Sequence, residues 1–147
     1  MMNEAFKINE LGNLKFFLGF EIARNQSGIS MNQRKYALEI LSDTRMMGCK
    51  PASTPITHGT HLHQDDSGNY SDVAAYRRHV GRLIYLTNTR LDLTFSVNQL
   101  AQFMALPTNL QYQSVVKILR YIKGSPALGL FFPRNSFVQL KAYSDSD

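Results

Sequence analysis

Between Tyr76 and Ile122 the apolar residues recur every three or four positions, in three runs broken by proline and glycine. That spacing returns to one side of a helix at each turn, so the runs commit this part of the chain to packed amphipathic helices. In the first run Tyr76, Val80, Leu83, Ile84 and Thr87 share a face, while Arg78 and Arg82 lie one turn apart opposite them with Tyr85 alongside. The second run is expected to bury Leu93, Val97, Leu100, Ala101 and Met104, and to end at Pro107, which has no amide hydrogen to continue a helix. The third opens near Thr108, whose hydroxyl can cap a helix start, and is expected to bury Tyr112, Val115, Val116, Leu119 and Ile122. Gly124 stops it, with Pro126 two residues later.

The flanking segments follow a different period. In Leu14–Arg24, Phe16, Leu18, Phe20 and Ile22 alternate with Phe17, Gly19, Glu21 and Ala23, which predicts a strand. Asn25-Gln26-Ser27-Gly28 is turn chemistry, and Ile29-Ser30-Met31 then returns as the second arm of a β-hairpin. Gly19 within such a strand marks a bulge or a close backbone approach. A helix is expected from about Asn32, with Tyr36, Ala37, Ile40, Leu41, Thr44 and Met47 on one stripe and Gly48 as its stop. Residues 49–74 lack periodicity and read as a long loop or linker, a class that is usually functional or mobile. Leu130–Phe132 and Val138–Ser144 predict a closing hairpin. The expected fold class is therefore α+β: an N-terminal β-hairpin, a mainly helical middle and a C-terminal β-hairpin. The expected divisions fall at 1–48, 49–75, 76–126 and 127–147.

Charge is more informative than bulk composition. The chain of 147 residues carries a net charge of +5. Residues 76–123 hold seven bases (Arg77, Arg78, Arg82, Arg90, Lys117, Arg120 and Lys123) against Asp92 alone, a balance of +6. The other 99 residues hold nine bases and ten acids. A polyanionic partner such as nucleic acid would explain that concentration, because neutralising phosphates releases counterions. A solvated basic helical surface explains it as well, and on composition alone that plainer reading is slightly ahead. No apolar run approaches the ~20 residues that span a bilayer, and the N-terminus lacks a basic-then-apolar leader. Cys49 is the only cysteine, which excludes an internal disulfide framework and fits a reducing, intracellular setting of unspecified compartment.

Few residues suggest chemistry. His58, His61, His63, Asp65 and Asp66 form a cluster of potential metal ligands, but in a loop and without CxxC or HExxH spacing, so polar loop filler is the expected reading. Cys49 follows a helix C-terminus, the end whose dipole disfavours a thiolate. No Gly-rich phosphate loop or nucleophile elbow occurs. Asp145 and Asp147, at i and i+2 on a strand, project from one face where carboxylates can hold Mg²⁺; a solvated acidic end is the plain alternative.

Taken in order, LGNLKFFLGFEIARNQSGISMNQRKYALEILSDTRMMGCKPASTPI, YRRHVGRLIYLTNTRLDLTFSVNQLAQFM, ILRYIKGSPALGLFF and AYSDSD resemble the copia-type (Ty1/copia) retrotransposon Pol polyprotein. The resemblance covers nearly the whole chain. It implies the C-terminal part of a reverse transcriptase, thumb and connection, running into the start of RNase H. It implies that the Phe17-Leu18-Gly19 hairpin supports the primer terminus and that the helices from Tyr76 to Lys123 hold an RNA/DNA template–primer duplex. Arg77, Arg78, Arg82, Lys117, Arg120 and Lys123 would then contact phosphates, with Tyr85 and Tyr121 nearby. Asp145 matches the first RNase H carboxylate, which works with later acidic residues and Mg²⁺ and would bind metal only with that missing part present.

The family's polymerase aspartates, in a Tyr-x-Asp-Asp turn, would lie upstream of residue 1, and Asp65-Asp66 in HQDDSG is no substitute. Further RNase H acids would lie beyond Asp147. The resemblance therefore implies a truncated fragment that is inactive alone and holds no cofactor of its own. Its partners would be nucleic acid and the palm, fingers and RNase H parts of the same polyprotein, with no membrane. The alternative is a non-functional relic reading frame of a decayed element. Departures from the family pattern fit that alternative: Leu91 where Pro is usual, and Gln111-Tyr112 where His-Trp is usual.

Overall fold

A computed structural model describes residues 15–57, 59–60, 62–63 and 66–137. Among the described residues, four helices and a four-stranded antiparallel sheet make up an α+β fold. The strands are β1 (Phe16–Phe17), β2 (Phe20–Arg24), β3 (Gly28–Asn32) and β4 (Gly129–Pro133), and the helices are α1 (Arg34–Asp43), α2 (Val73–Leu86), α3 (Thr94–Ala101) and α4 (Asn109–Gly124). A short 3₁₀ turn, Leu91–Leu93, leads into α3.

The helices enclose the core. Ile40 and Leu41 from α1 meet Tyr76, Val80 and Leu83 from α2, Val97 and Leu100 from α3, and Ile118, Leu119 and Ile122 from α4. Each fully buried aliphatic side chain of this kind contributes about 1.5–3 kcal/mol. Tyr76 is fully buried, and its hydroxyl donates to the Leu100 carbonyl at 2.8 Å, so its polar end is satisfied inside.

Several stripes differ in detail from the sequence reading. On α2, Leu86 is buried and Ile84 is exposed, because the buried face also takes in Ala75, which lies on the Leu86 side of the Tyr76–Val80–Leu83 line and away from Ile84. On α4 the buried face is Gln111, Ser114, Val115, Ile118, Leu119 and Ile122, leaving Tyr112 and Val116 half-buried. Two polar residues of α4 are buried, and both are satisfied. Gln111 completes a capping box with Thr108 and donates to the Leu62 carbonyl at 2.9 Å, and Ser114 donates to the Leu110 carbonyl at 3.0 Å. The helix α3 ends at Ala101, well before Pro107; the intervening Met104 and Ala105 carbonyls accept from Arg77 instead.

The stop of α1 also falls earlier than Gly48. Arg45 takes a left-handed φ of 58°, and the Met46 and Arg45 amides donate back to Leu41 and Ser42, a Schellman closure. Met47 lies beyond it, 44% exposed.

Within its described part, from Lys15 to Arg24, the expected strand is not continuous. Leu18 and Gly19 adopt φ of 47° and 79°, and Phe17 pairs with Phe20, so the chain reverses through a two-residue turn into β1 and β2. Such a turn needs positive φ at both positions. Gly19 also supplies the expected close approach: a Cβ there would sit 3.3 Å from the Tyr85 hydroxyl, which donates to the Leu18 carbonyl.

The first arm of the expected closing hairpin, β4, pairs with β3, in register from Gly28↔Pro133 to Asn32↔Gly129. Its second arm, Val138–Ser144, lies outside the described residues. Glycine at 129 permits the pairing, since a Cβ would approach the Met31 carbonyl oxygen to 2.3 Å. The sheet leaves Phe16, Phe17, Phe131 and Phe132 more than half exposed.

Candidate nucleic-acid interface

Six basic side chains were the sequence-derived candidates, three on α2 and three on α4. The two helices use them differently. On α2, Arg77 donates through Nε to the Met104 carbonyl at 2.7 Å and through Nη2 to Ala105 at 3.4 Å. Arg82 pairs with Asp43 at 2.6 Å and lies over the Tyr36 ring, 5.5 Å from its centroid. Arg78 is exposed and has no bonded partner among the described residues. Burial, aided by the charges of Arg78 and Arg82, pushes the neighbouring His79 imidazole below its usual value, so it is neutral in ordinary buffers and adds nothing to the positive field.

Arg90 belongs to a different class. It was counted in the basic surplus, yet it is 1% exposed. Nε and Nη2 donate to both Asp92 carboxylate oxygens at 2.9 and 2.8 Å, Nη1 donates to the Ser125 carbonyl at 2.9 Å, and the guanidinium lies over the Tyr121 ring. Burial alone would raise the Asp92 carboxyl, but the hydrogen bonds and charge of Arg90 outweigh it and hold Asp92 below the usual carboxylate range. This pair fastens the start of α3 to the end of α4 and is internal. Tyr121, placed near the phosphate-contact residues by the sequence, is part of it.

On α4, Lys117 donates to the Thr57 hydroxyl at 2.6 Å, and Arg120 donates through Nε to the Lys50 carbonyl at 2.8 Å. The Ala52 amide returns a hydrogen bond to the Arg120 carbonyl at 3.1 Å. These contacts pin much of the aperiodic 49–74 segment along α4, and Leu62, 2% exposed, anchors it in the core. The result is a cleft of about 700 Å³ between the segment and α4, with Ser53, Thr57 and Thr60 on one wall and Lys117 and Arg120 on the other. Lys123, half-buried, lies one turn beyond Arg120 on the same helix. Ser53, Thr57 and Thr60 were not among the candidates. Nothing in their spacing marks them, because an irregular segment has no period from which a facing side could be read.

The remaining candidates stand apart. Phe17, Leu18 and Gly19 form the β1–β2 turn, with Phe17 and Leu18 more than half exposed. Tyr85 is committed to this turn through the Leu18 carbonyl and rings of Phe20 and Tyr36. Asp145 and Asp147 lie outside the described residues, as do His58, His61 and Asp65. His63 packs edge-on against Phe103, and among the described residues no three His, Cys, Asp or Glu side chains converge on a point. No described helix is long and apolar enough to cross a membrane. The described geometry is suited to binding anions.

Comparison with known proteins agrees with the sequence motifs. Residues 1–58 match the family described as reverse transcriptase (RNA-dependent DNA polymerase). Across 99% of its length the chain is 37% identical to the retrovirus-related Pol polyprotein from transposon RE1 of Arabidopsis thaliana and 36% identical to that from transposon RE2, covering 10% of each. It is also 36% identical to an uncharacterized mitochondrial protein of the same plant, of which it spans 60%. The chain thus spans about a tenth of the length of the Pol polyproteins it matches. No solved structure matches it. The motifs, the family match over residues 1–58 and the Pol polyprotein matches over 99% of the chain agree, so the chain is similar to the reverse-transcriptase part of copia-type transposon Pol polyproteins.

Proposed function

We propose that this chain is the part of a transposon reverse transcriptase that grips the template–primer duplex by its phosphates, and that it performs no nucleotide chemistry alone. The observation that carries the reading is the similarity to transposon Pol polyproteins across 99% of the chain, joined to a helical region whose unneutralised cations sit on α2 and α4. Phosphate contact without base reading gives sequence-independent affinity that falls steeply with salt. In the same reading the Phe17-Leu18-Gly19 turn supports the primer end. Asp145 would contribute one RNase H carboxylate, acting with Mg²⁺ only beside later acidic residues.

The test is fluorescence anisotropy with a labelled RNA/DNA hybrid, run beside a nucleotide-incorporation assay with Mg²⁺. Salt-sensitive binding without incorporation is the expected result. Incorporation by the isolated chain would overturn the claim of inactivity, and absence of binding at low salt would overturn the grip.

A relic product with no nucleic-acid role is the second reading. It is favoured by the exposed aromatic residues of the sheet, Phe16 at 69% and Phe131 at 54%, and by Leu91 at 62%. Patches of this kind make an isolated product prone to association. A monodisperse sample that unfolds cooperatively and binds the hybrid would contradict it.

A further inference from the structure

Among the clefts of the described surface, three differ in their chemistry. Two adjoin β1 and β2 and mix their charges, Glu21 with Lys15 and Arg24 in one and Glu21 and Glu39 with Arg34 and Lys35 in the other. The third, between α4 and the described residues of 51–60, has no acidic residue among the described residues that line it. It carries Lys117 and Arg120 on one wall and the Ser53, Thr57 and Thr60 hydroxyls on the other. A cleft lined by one sign of charge focuses the field along its length.

The cations of this cleft are held in place but not neutralised. Lys117 meets a neutral hydroxyl, which occupies one of its three N–H groups. Arg120 spends only Nε on the Lys50 carbonyl, and Nη1 and Nη2 meet no acceptor among the described residues. On α2, by contrast, Arg82 is neutralised by Asp43 and Arg77 is turned onto two backbone carbonyls. The stretch of α4 that lines the cleft runs from Leu110 to Arg120, roughly 15 Å at 1.5 Å per residue. That is longer than one phosphate group requires. Successive phosphates of a strand lie no closer than the duplex rise of about 3.4 Å, so this wall takes more than one and at most about four.

We infer that the cleft between α4 and residues 51–60 seats the sugar–phosphate backbone of one nucleic-acid strand, with Lys117 and Arg120 meeting its phosphates and the three hydroxyls hydrogen-bonding to them. The inference rests on the proposed duplex grip and assigns it a place. It also ranks the cations: Lys117 and Arg120 carry the binding, while Arg77 and Arg82 serve the fold.

The experiment measures hybrid affinity by anisotropy between 50 and 200 mM salt for the wild type, Lys117→Gln/Arg120→Gln, Lys117→Arg/Arg120→Lys and Arg78→Gln. Losing two phosphate contacts makes the slope of log affinity against log salt shallower by about 1.8, so low-salt affinity falls and wild type loses roughly tenfold more than the double Gln variant across that range. The charge-retaining double variant keeps the slope although Arg120→Lys removes the Nε contact to Lys50, which separates a phosphate role from a structural one. Arg78→Gln changes the slope by less than half as much. A wild type that binds while the double Gln variant keeps its full slope overturns the cleft and leaves the grip standing. A charge-retaining variant as weak as the Gln pair also overturns the cleft. A wild type that does not bind overturns both.

Discussion

Replacing Asp92 by Asn tests the internal arginine most sharply. The substitution keeps the size of the side chain and one hydrogen-bonding oxygen but removes the negative charge facing a guanidinium that is 1% exposed. Arginine cannot escape by losing its proton. Removing one partner of a buried pair costs about 3–5 kcal/mol, since the other charge is left uncompensated. Asp92 itself is 30% exposed, and the Ser125 carbonyl still accepts from Nη1, so the lower end of that range applies, about 3 kcal/mol. For a domain near 150 residues that lowers Tm by roughly 6–12 °C. Thermal unfolding followed by circular dichroism measures it directly. The double variant Arg90→Met/Asp92→Leu should recover part of the loss, because it removes both charges and leaves no unpaired ion. A fall of less than 2 °C for Asp92→Asn, or a double variant no more stable than the single one, would refute the uncompensated-charge argument.

Other consequences follow from the same geometry. Because Asp92 titrates below an unfolded aspartate, its contribution is fully present above the unfolded value near 4 and is lost as pH falls through the lower folded value. Acid titration of Tm should therefore show a downward step below about pH 4 that Asp92→Asn lacks. Thr108→Ala removes one half of the capping box on α4 and should cost about 0.5–2 kcal/mol in urea unfolding, with the m-value unchanged. Gly129→Ala drives a methyl group to 2.3 Å from the Met31 carbonyl and should speed hydrogen exchange along β3 and β4 while leaving α4 amides protected. Leu91→Pro, at the first position of the 3₁₀ turn and 62% exposed, should raise stability by about 0.4–1 kcal/mol by restricting the unfolded chain; a lower midpoint would show that the local backbone does not accept proline.

The helical half of the fold was legible because burial and helical period act together: Tyr76, Val80, Leu83, Val97, Leu100, Val115 and Ile122 are core where their spacing placed them. What spacing missed was tertiary. Gln111 and Ser114 are buried because their polar atoms find carbonyls, and no pattern of apolar residues announces a satisfied polar one. Arg45 closes α1 in a left-handed conformation that a sequence reader assigns to Gly48. Leu18-Gly19 turns the chain within an unbroken apolar alternation, so the strand period hid a hairpin.

The proposed interface was half legible for a similar reason. Sequence located the cations but not their partners, and the partners decide which of them face outward. Arg90 and Arg82 meet Asp92 and Asp43, one two residues away and one in another helix. Lys117 and Arg120 meet a segment that reads as filler and instead builds a wall.

The most direct measurement is ultraviolet cross-linking of the chain to an RNA/DNA hybrid, with the attached peptides identified by mass spectrometry. The account predicts cross-links concentrated in residues 50–60 and on α4 between Leu110 and Lys123, lost as salt is raised. Cross-links confined to the sheet, or a yield indifferent to salt, would contradict it.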